Sequence, residues 1–490
     1  MNELAMELRT FPQVKNVVLI VGEKINAWCV KEFLLGIRLE RLDIFASTTY
    51  KRAEFRKILR LLKETEECNV QSEVQIMGLD KIPSFQEPDD QYLLIFDSLD
   101  KIETILEPDK FHPTYLLGAM ERQAVTAFDV WERYRSVCEK IYILSLGNNR
   151  ETEALNWTQN SESATELSVI FPMYNVAAYL RECVESVKAW KADYVEYLFV
   201  DDGSPDNCAE IIEEYHKTDP RIKLLRKKNG GCASARQFGL EHAKGRYIGF
   251  IDPDDYIDPT MYRKLLSRAM TGSYEIAYCG YKELYESTGG TREVEDLIGW
   301  PYANGTTDPD ALSNLTAYLR VAIWRGIYSA DLIRRNHIHF YTDLRRFDDL
   351  PFKFEVHSCA KSVVSVPEYL YYYRLARPGQ DVSADDERLY VHFPIFNYLD
   401  DFVNEKFNHK MTEKLQVCKL HTHIYALKKI KPEFEKEYMT KAREDLLSNY
   451  TRREMKWVYA GKISKRDRLY LKAILAVNTR GLRWLKRRKI

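Results

Sequence analysis

The 490-residue sequence has no paired cysteines: Cys29, Cys68, Cys138, Cys183, Cys208, Cys232, Cys279, Cys359 and Cys418 stand singly, and none has CxxC spacing. That excludes a zinc knuckle or a thioredoxin-like site. An odd, dispersed set fits reduced thiols better than a disulfide framework. No apolar run approaches the ~20 residues that span a bilayer. The opening residues, MNELAMELRT, have no apolar core, so no signal peptide is expected. The protein is therefore expected on the cytoplasmic side. No charge dominates either. Lys and Arg number 72 against 73 Asp and Glu, for a net charge of −1. Nucleic-acid binding through overall charge is excluded.

What is present is a core. At 45% hydrophobic, the chain suits two or three domains of ~100–200 residues each. Residues 1–163 read as an α/β domain of unknown role. Asn16–Gly22, Leu42–Ala46, Tyr92–Phe96 and Ile141–Leu146 are apolar runs of strand type. Lys51–Glu66 and Thr114–Cys138 carry helical patterns between them, and such alternation predicts a largely parallel sheet. No GxGxxG or Walker sequence occurs in this region. Asn148–Thr165 is polar and reads as a linker. Residues 383–490 read as helical and richly charged.

The middle region, 164–382, predicts a doubly wound, mostly parallel sheet. Its strands are Leu167–Phe171, Tyr197–Val200, Ile222–Leu225 and Tyr247–Ile251, joined by helices Ala178–Trp190, Cys208–His216 and Ala233–Ala243. In open parallel sheets, ligands bind beyond the carboxyl ends of the strands. Three polar clusters sit there: Pro172-Met173-Tyr174-Asn175, Asp201-Asp202-Gly203-Ser204 and Asp252-Pro253-Asp254-Asp255. An aromatic ring stacks on a nucleobase, and carboxylates accept hydrogen bonds from a base or ribose. Carboxylates two residues apart can share a divalent cation with a diphosphate. All-oxygen ligation favours magnesium or manganese.

These stretches resemble glycosyltransferase family 2, the GT-A group of inverting sugar transferases. The likeness is carried by SVIFPMYNVAAYLRECVESV, LFVDDGSPDN, KKNGGCASARQFGLEHAKGRYIGFIDPDDYIDP, WRGIYSADLIRR, FDDLPF and YYYR, over about residues 166–377. Each motif is weak alone, but their order and spacing are specific. The resemblance implies transfer of a sugar from a nucleotide-sugar, expected to be a UDP-sugar, to a glycan or lipid-linked glycan. It places Pro172, Tyr174, Asn175, Asp201 and Asp202 around the base and ribose. Asn229 and Gly231 fall in the loop near the donor, and Arg236 approaches the nucleotide or diphosphate. Asp252 and Asp254 form the DxD element, with Asp254 in direct metal contact. Asp349 becomes the catalytic base, with Asp348 beside it. Trp324 packs near the acceptor, and Arg374 and Arg377 reach the diphosphate or order the closing loop. The chain departs from the family at Gln237, where Asn is common, and at Asp348, where Glu is common.

The last thirty residues, GKISKRDRLYLKAILAVNTRGLRWLKRRKI, set eleven Lys and Arg against Asp467 alone. Leucines, isoleucine and Trp484 are interspersed. This reads as a basic amphipathic surface that meets a membrane, at the inner face of the cell membrane. Two rival classes remain open. A non-catalytic nucleotide-sugar-binding subunit of a glycan assembly complex would need neither metal nor base. A nucleotidyltransferase would carry a Gly-rich basic signature where FPMYN stands.

Overall fold

The computed structural model describes residues 165–487 apart from 287, 295–301, 345 and 376–383; before 165 it describes eight regular elements and residues 53, 56, 57 and 135. Cα proximity divides the chain into two compact units, one holding Met1–Ala164 and Met270–Ser273 and a second holding Thr165–Ala269 and Tyr274–Ile490.

The first unit carries β1 (Asn16–Val21), β2 (Arg41–Ala46), β3 (Val74–Gly78), β4 (Tyr92–Phe96), β5 (Tyr115–Glu121), α1 (Ala127–Tyr134), β6 (Lys140–Leu146) and β7 (Thr152–Thr158). They form one sheet in the order β3-β2-β1-β4-β5-β6-β7. Every neighbouring pair is parallel except β6 with β7. Two sequence expectations change here. Thr114–Cys138 is not one helix: it opens with β5, a seven-residue run whose apolar content does not distinguish strand from helix. The polar stretch after 148 contains β7, an edge strand paired on one side only, which needs no apolar run. Of the helix expected at 51–66, only residues 53, 56 and 57 are described, all helical; the rest lies outside the described residues.

The second unit begins with β8 (Leu167–Met173), α2 (Ala177–Lys188), β9 (Val195–Asp201), α3 (Cys208–His216), β10 (Ile222–Arg226), α4 (Cys232–His242) and β11 (Tyr247–Phe250). Every predicted strand and helix of this stretch is present within a few residues. Strands β9 and β11 are buried along their whole length, as the apolar runs require of strands covered on both faces. The sheet continues through β12 (Tyr256–Ile257), α5 (Met261–Thr271), β13 (Ile276–Tyr285), β14 (Gly290–Glu293), α6 (Pro309–Tyr318), β15 (Gly326–Ser329), α7 (Ala330–Arg335), α8 (Asp349–Cys359) and β16 (Val363–Leu375). Its order is β10-β9-β8-β11-β15-β13-β16-β12, with β14 beside β13. The strands β10, β9, β8 and β11 run parallel, and β15 is antiparallel to β11. The direction of winding reverses at β8, so a crevice opens beyond the ends of β8 and β11.

The remaining helices are α9 (His392–Phe407), α10 (Thr412–Lys429), α11 (Glu435–Leu447), α12 (Met455–Val458), α13 (Lys465–Leu475) and α14 (Thr479–Arg487). Among the described residues, no helix is long and apolar enough to cross a membrane. The helices pack around a core that includes Leu420, Leu427, Tyr438, Met439 and Ile474. At its edge lies a polar knot. The fully buried Lys419 ammonium pairs with Asp400 at 2.6 Å and Asp445 at 2.7 Å. The second Asp445 oxygen meets His423 Nε2 at 2.8 Å. Removing the cation leaves two carboxylates facing each other in a dry site, which costs about 3–5 kcal/mol. Lys419→Ala is therefore expected to lower the unfolding free energy of the second unit by that amount, read from urea unfolding by circular dichroism. A change under about 1 kcal/mol contradicts the pairing.

Candidate active site

The crevice is built from three strand ends. At the end of β8, the Tyr174 ring is 52% exposed. Beside it Asn175 takes φ 55°, a left-handed backbone that Asn tolerates better than most residues. Pro172 still lies in the strand, paired with Val200 of β9. At the end of β9, Asp201 Oδ1 accepts the Ser204 amide at 2.9 Å and closes the turn. The Asp202 amide donates to the Met173 carbonyl at 2.9 Å, which ties the two strand ends together.

Asp202 organises the glycine loop. Its carboxylate accepts the amides of Gly230 (3.0 Å) and Gly231 (2.7 Å) and the Lys227 ammonium (2.6 Å). A carboxylate this buried needs those donors. Gly231 adopts φ 90°, and a Cβ on Gly230 would come within 2.7 Å of Ser234 Oγ. Both positions exclude larger residues. Asn229 precedes them on the exposed side of the loop.

Arg236, on the first turns of α4, joins the next two parts. Its Nη2 donates to Asp252 Oδ1 at 2.6 Å and its Nη1 to Asp348 Oδ2 at 2.9 Å. Burial alone would lower the guanidinium pKa, but Asp348, with Asp252 and Asp349, holds it well above its usual value. The buried Nε has no hydrogen-bond partner. The neighbouring Gln237 is occupied elsewhere, accepting the Phe340 amide at 2.9 Å and donating to Glu241.

The loop after β11 carries Asp252, Asp254 and Asp255. Asp252 is partly open, while Asp254 and Asp255 are buried. Asp255 faces inward: it accepts the Tyr371 hydroxyl at 2.7 Å and the Arg374 amide at 2.7 Å. Burial, with Asp254 and Asp252 alongside, pushes its carboxyl well above the usual range. Arg374 is committed to the same clasp. Its Nε donates to the Asp254 carbonyl at 2.8 Å, and its other nitrogens reach Glu182 (2.6 Å) and Glu286 (3.1 Å). Arg374 thus contacts the acidic loop through the Asp254 carbonyl. Arg377 lies outside the described residues.

Asp348 and Asp349 start α8, where the helix dipole favours negative charge. Asp348 is buried against Arg236. Asp349 is only partly exposed, and burial together with the charge of Asp348 raises its carboxyl to about 7. Trp324 is 6% exposed. It stacks on Tyr371 at 4.1 Å and on Tyr373 at 5.3 Å between ring centroids. It is packed against β16.

Sequence reading did not single out Tyr371, whose hydroxyl also lies 3.3 Å from the Asp252 amide, nor Lys227. YYYR reads as packing, and the Tyr371 ring is indeed fully buried. Only the strand register shows its hydroxyl at the acidic loop. Among the described residues, no group of three or more His, Cys, Asp or Glu surrounds a common point. Magnesium and manganese need no such cage: one or two carboxylates plus substrate phosphates suffice. Asp252, whose Oδ2 has no hydrogen-bond partner, and Asp254 make a donor set that fits them.

A GT-A sheet with acidic strand ends and an aromatic at its rim is the frame of a glycosyltransferase. Known proteins agree. A model of "Glycosyl transferase family 2" matches residues 168–330. The glycosyltransferase GlyG of Streptococcus pneumoniae is 31% identical over 220 residues, 42% of this chain and 70% of that protein. The uncharacterized glycosyltransferase EpsJ of Bacillus subtilis is 33% identical over 215 residues, 42% of this chain and 60% of its own length. The structure of S. aureus TarS 1–349 with UDP-GlcNAc superposes with a TM-score of 0.53 at 21% identity, covering 66% of this chain and 90% of that one. The chain belongs to glycosyl transferase family 2.

The raised Asp349 pKa has a consequence for stability. Its folded value of about 7 exceeds the ~3.9 of an unfolded Asp, so the fold is penalised as this carboxyl ionises. The penalty is absent below about pH 4, grows through the interval, and is complete above about 7. Asp349→Asn cannot ionise. Its melting temperature is expected to exceed wild type above pH 7 and to match it at pH 4. Equal melting temperatures at pH 8 contradict the raised pKa.

Proposed function

We propose that this chain transfers a sugar from a nucleotide-sugar, a UDP-sugar by preference, to a hydroxyl of a glycan or lipid-linked glycan with inversion at the anomeric carbon. The observation that carries this is the arrangement of carboxylates: Asp349 opens α8 beside Asp348, which Arg236 ties to Asp252 of the acidic loop, a setting in which burial and the Asp348 charge raise the Asp349 carboxyl to about 7. A base works best with a pKa near the operating pH. The bound UDP-GlcNAc of TarS supports the choice of donor.

In this reading Tyr174 stacks on the base, and Asp201 accepts from it, while Pro172 and Asn175 line the pocket. Asp202 keeps the Asn229–Gly231 loop against the donor. Arg236 offers its free Nε to the diphosphate. A divalent cation, held by Asp252 and Asp254 with the phosphates, would neutralise charge on the leaving group. Asp349 takes the proton of the acceptor hydroxyl. That oxygen forms the new bond to the anomeric carbon as the bond to the diphosphate breaks, and the nucleoside diphosphate leaves. Trp324 backs the acceptor side. The chemistry resides in 164–382, with 1–163 and 383–490 as flanking domains, and the enzyme works as a hexosyltransferase on the cytoplasmic side.

The test is nucleoside diphosphate release from a panel of nucleotide-sugars, with manganese or magnesium and with chelator. One donor is expected to turn over, and chelator to stop it. Asp254→Asn and Asp349→Asn are expected to lose at least about a hundredfold in kcat. Wild-type rates in either variant refute that residue's role. Pyrophosphate in place of nucleoside diphosphate refutes the reaction class.

A further inference from the structure

The last two helices look, by sequence, like an amphipathic segment with an apolar face free to insert into lipid. The structure uses that face internally. Leu471 and Ile474 of α13 and Leu482 and Leu485 of α14 are buried in the helical core. What remains outside is different. Among the described residues only four large apolar side chains are exposed: Tyr174, Val321, Leu469 and Trp484. The first belongs to the donor crevice. Leu469 and Trp484, 44% and 49% exposed, lie on α13 and α14.

Each sits among cations. Side chains three or four apart on a helix are neighbours, which sets Leu469 beside Lys465 and Lys472, and Trp484 beside Arg480 and Arg487. All four of these cations are exposed, and with Arg468 they make no ion pair among the described residues. Other basic residues here are neutralised: Arg483 and Lys486 share the buried Glu435, and Lys462 pairs with Glu413. The uncompensated charge is therefore concentrated around the two exposed apolar groups. Solvated helix faces carry mixed charge, whereas here Asp467 is the lone acid between 461 and 487, and it is spent in the capping box of α13 with Ser464.

We propose that the outer face of these two helices docks on an anionic lipid surface. Lys465, Arg468, Lys472, Arg480 and Arg487 meet the headgroups, and Leu469 and Trp484 dip into the interface. The helices themselves stay folded on their core. This is adsorption by a rigid patch rather than insertion of an amphipathic helix, and it does not depend on the transfer reaction. A membrane occupant is favoured because isolated cations with one Leu and one Trp suit the polar–apolar boundary of a bilayer.

The test is co-sedimentation of the full chain with vesicles of phosphatidylcholine containing phosphatidylglycerol, and with phosphatidylcholine alone. Binding is expected only to the anionic vesicles and is expected to fall with salt. Lys472→Gln and Arg480→Gln should each weaken it about fivefold. Leu469→Ser with Trp484→Ser should weaken it at least about tenfold, with the far-ultraviolet circular dichroism unchanged because the buried apolar face of the two helices is left intact. Three results overturn the proposal: no sedimentation with anionic vesicles, equal binding to neutral ones, or a Leu469/Trp484 variant that binds like wild type. The first would leave the patch to an acidic protein partner.

Discussion

The site depends on one buried cation. Arg236 holds Asp252 of the acidic loop and Asp348 at the start of α8, two elements nearly a hundred residues apart in sequence. Without it, three carboxylates would crowd a small, poorly solvated space: Asp252, Asp348 and the adjacent Asp349. Each would shift toward its neutral form, and the ionised acidic loop that the proposed reaction needs would not persist. The pairing also fixes the position of the helix that carries Asp349, because α8 is anchored by its first residues rather than by packing alone.

Around this bridge the chain arranges two further clasps, each with a different partner type. Asp202 gathers backbone amides and one Lys, which stiffens the Gly230–Gly231 loop. Asp255 gathers the Tyr371 hydroxyl and the Arg374 amide, which fixes the acidic loop to β16. Consecutive acids in the sequence thus divide their work. Asp252 pairs with Arg236, while Asp255 is spent on structure. The same division separates Asp348, neutralised by Arg236, from Asp349, left partly open with a raised pKa. The aromatic stack of Trp324, Tyr371 and Tyr373 forms the wall that makes these contacts dry enough to matter.

Much of this was legible in the residues. The alternation from Leu167 to Ile251 prescribed the order and type of seven elements, because apolar runs between glycine and proline signals leave little choice. The carboxylates at strand ends followed from that order. Other parts were not legible. Trp324 resembles the aromatic that packs near the acceptor, and its burial is decided by Tyr371 and Tyr373 of β16, which lie far away in sequence. Tyr371 reads as core packing, since nothing local shows that its hydroxyl will face Asp255. The strand Thr152–Thr158 hides in a polar stretch because an edge strand draws its stability from one neighbour. The sequence of α13 and α14 does not show what covers their apolar face; in the structure Leu471, Ile474, Leu482 and Leu485 are covered by the protein's own helical core.

The most direct measurement is the pH dependence of kcat/KM for nucleoside diphosphate release, at saturating cation. A single ionisation near 7 is expected, with activity falling about tenfold per pH unit below it and level above, because the base must be deprotonated to act. A profile that is flat from pH 5 to 9 would contradict Asp349 as a base tuned by Asp348 and Arg236.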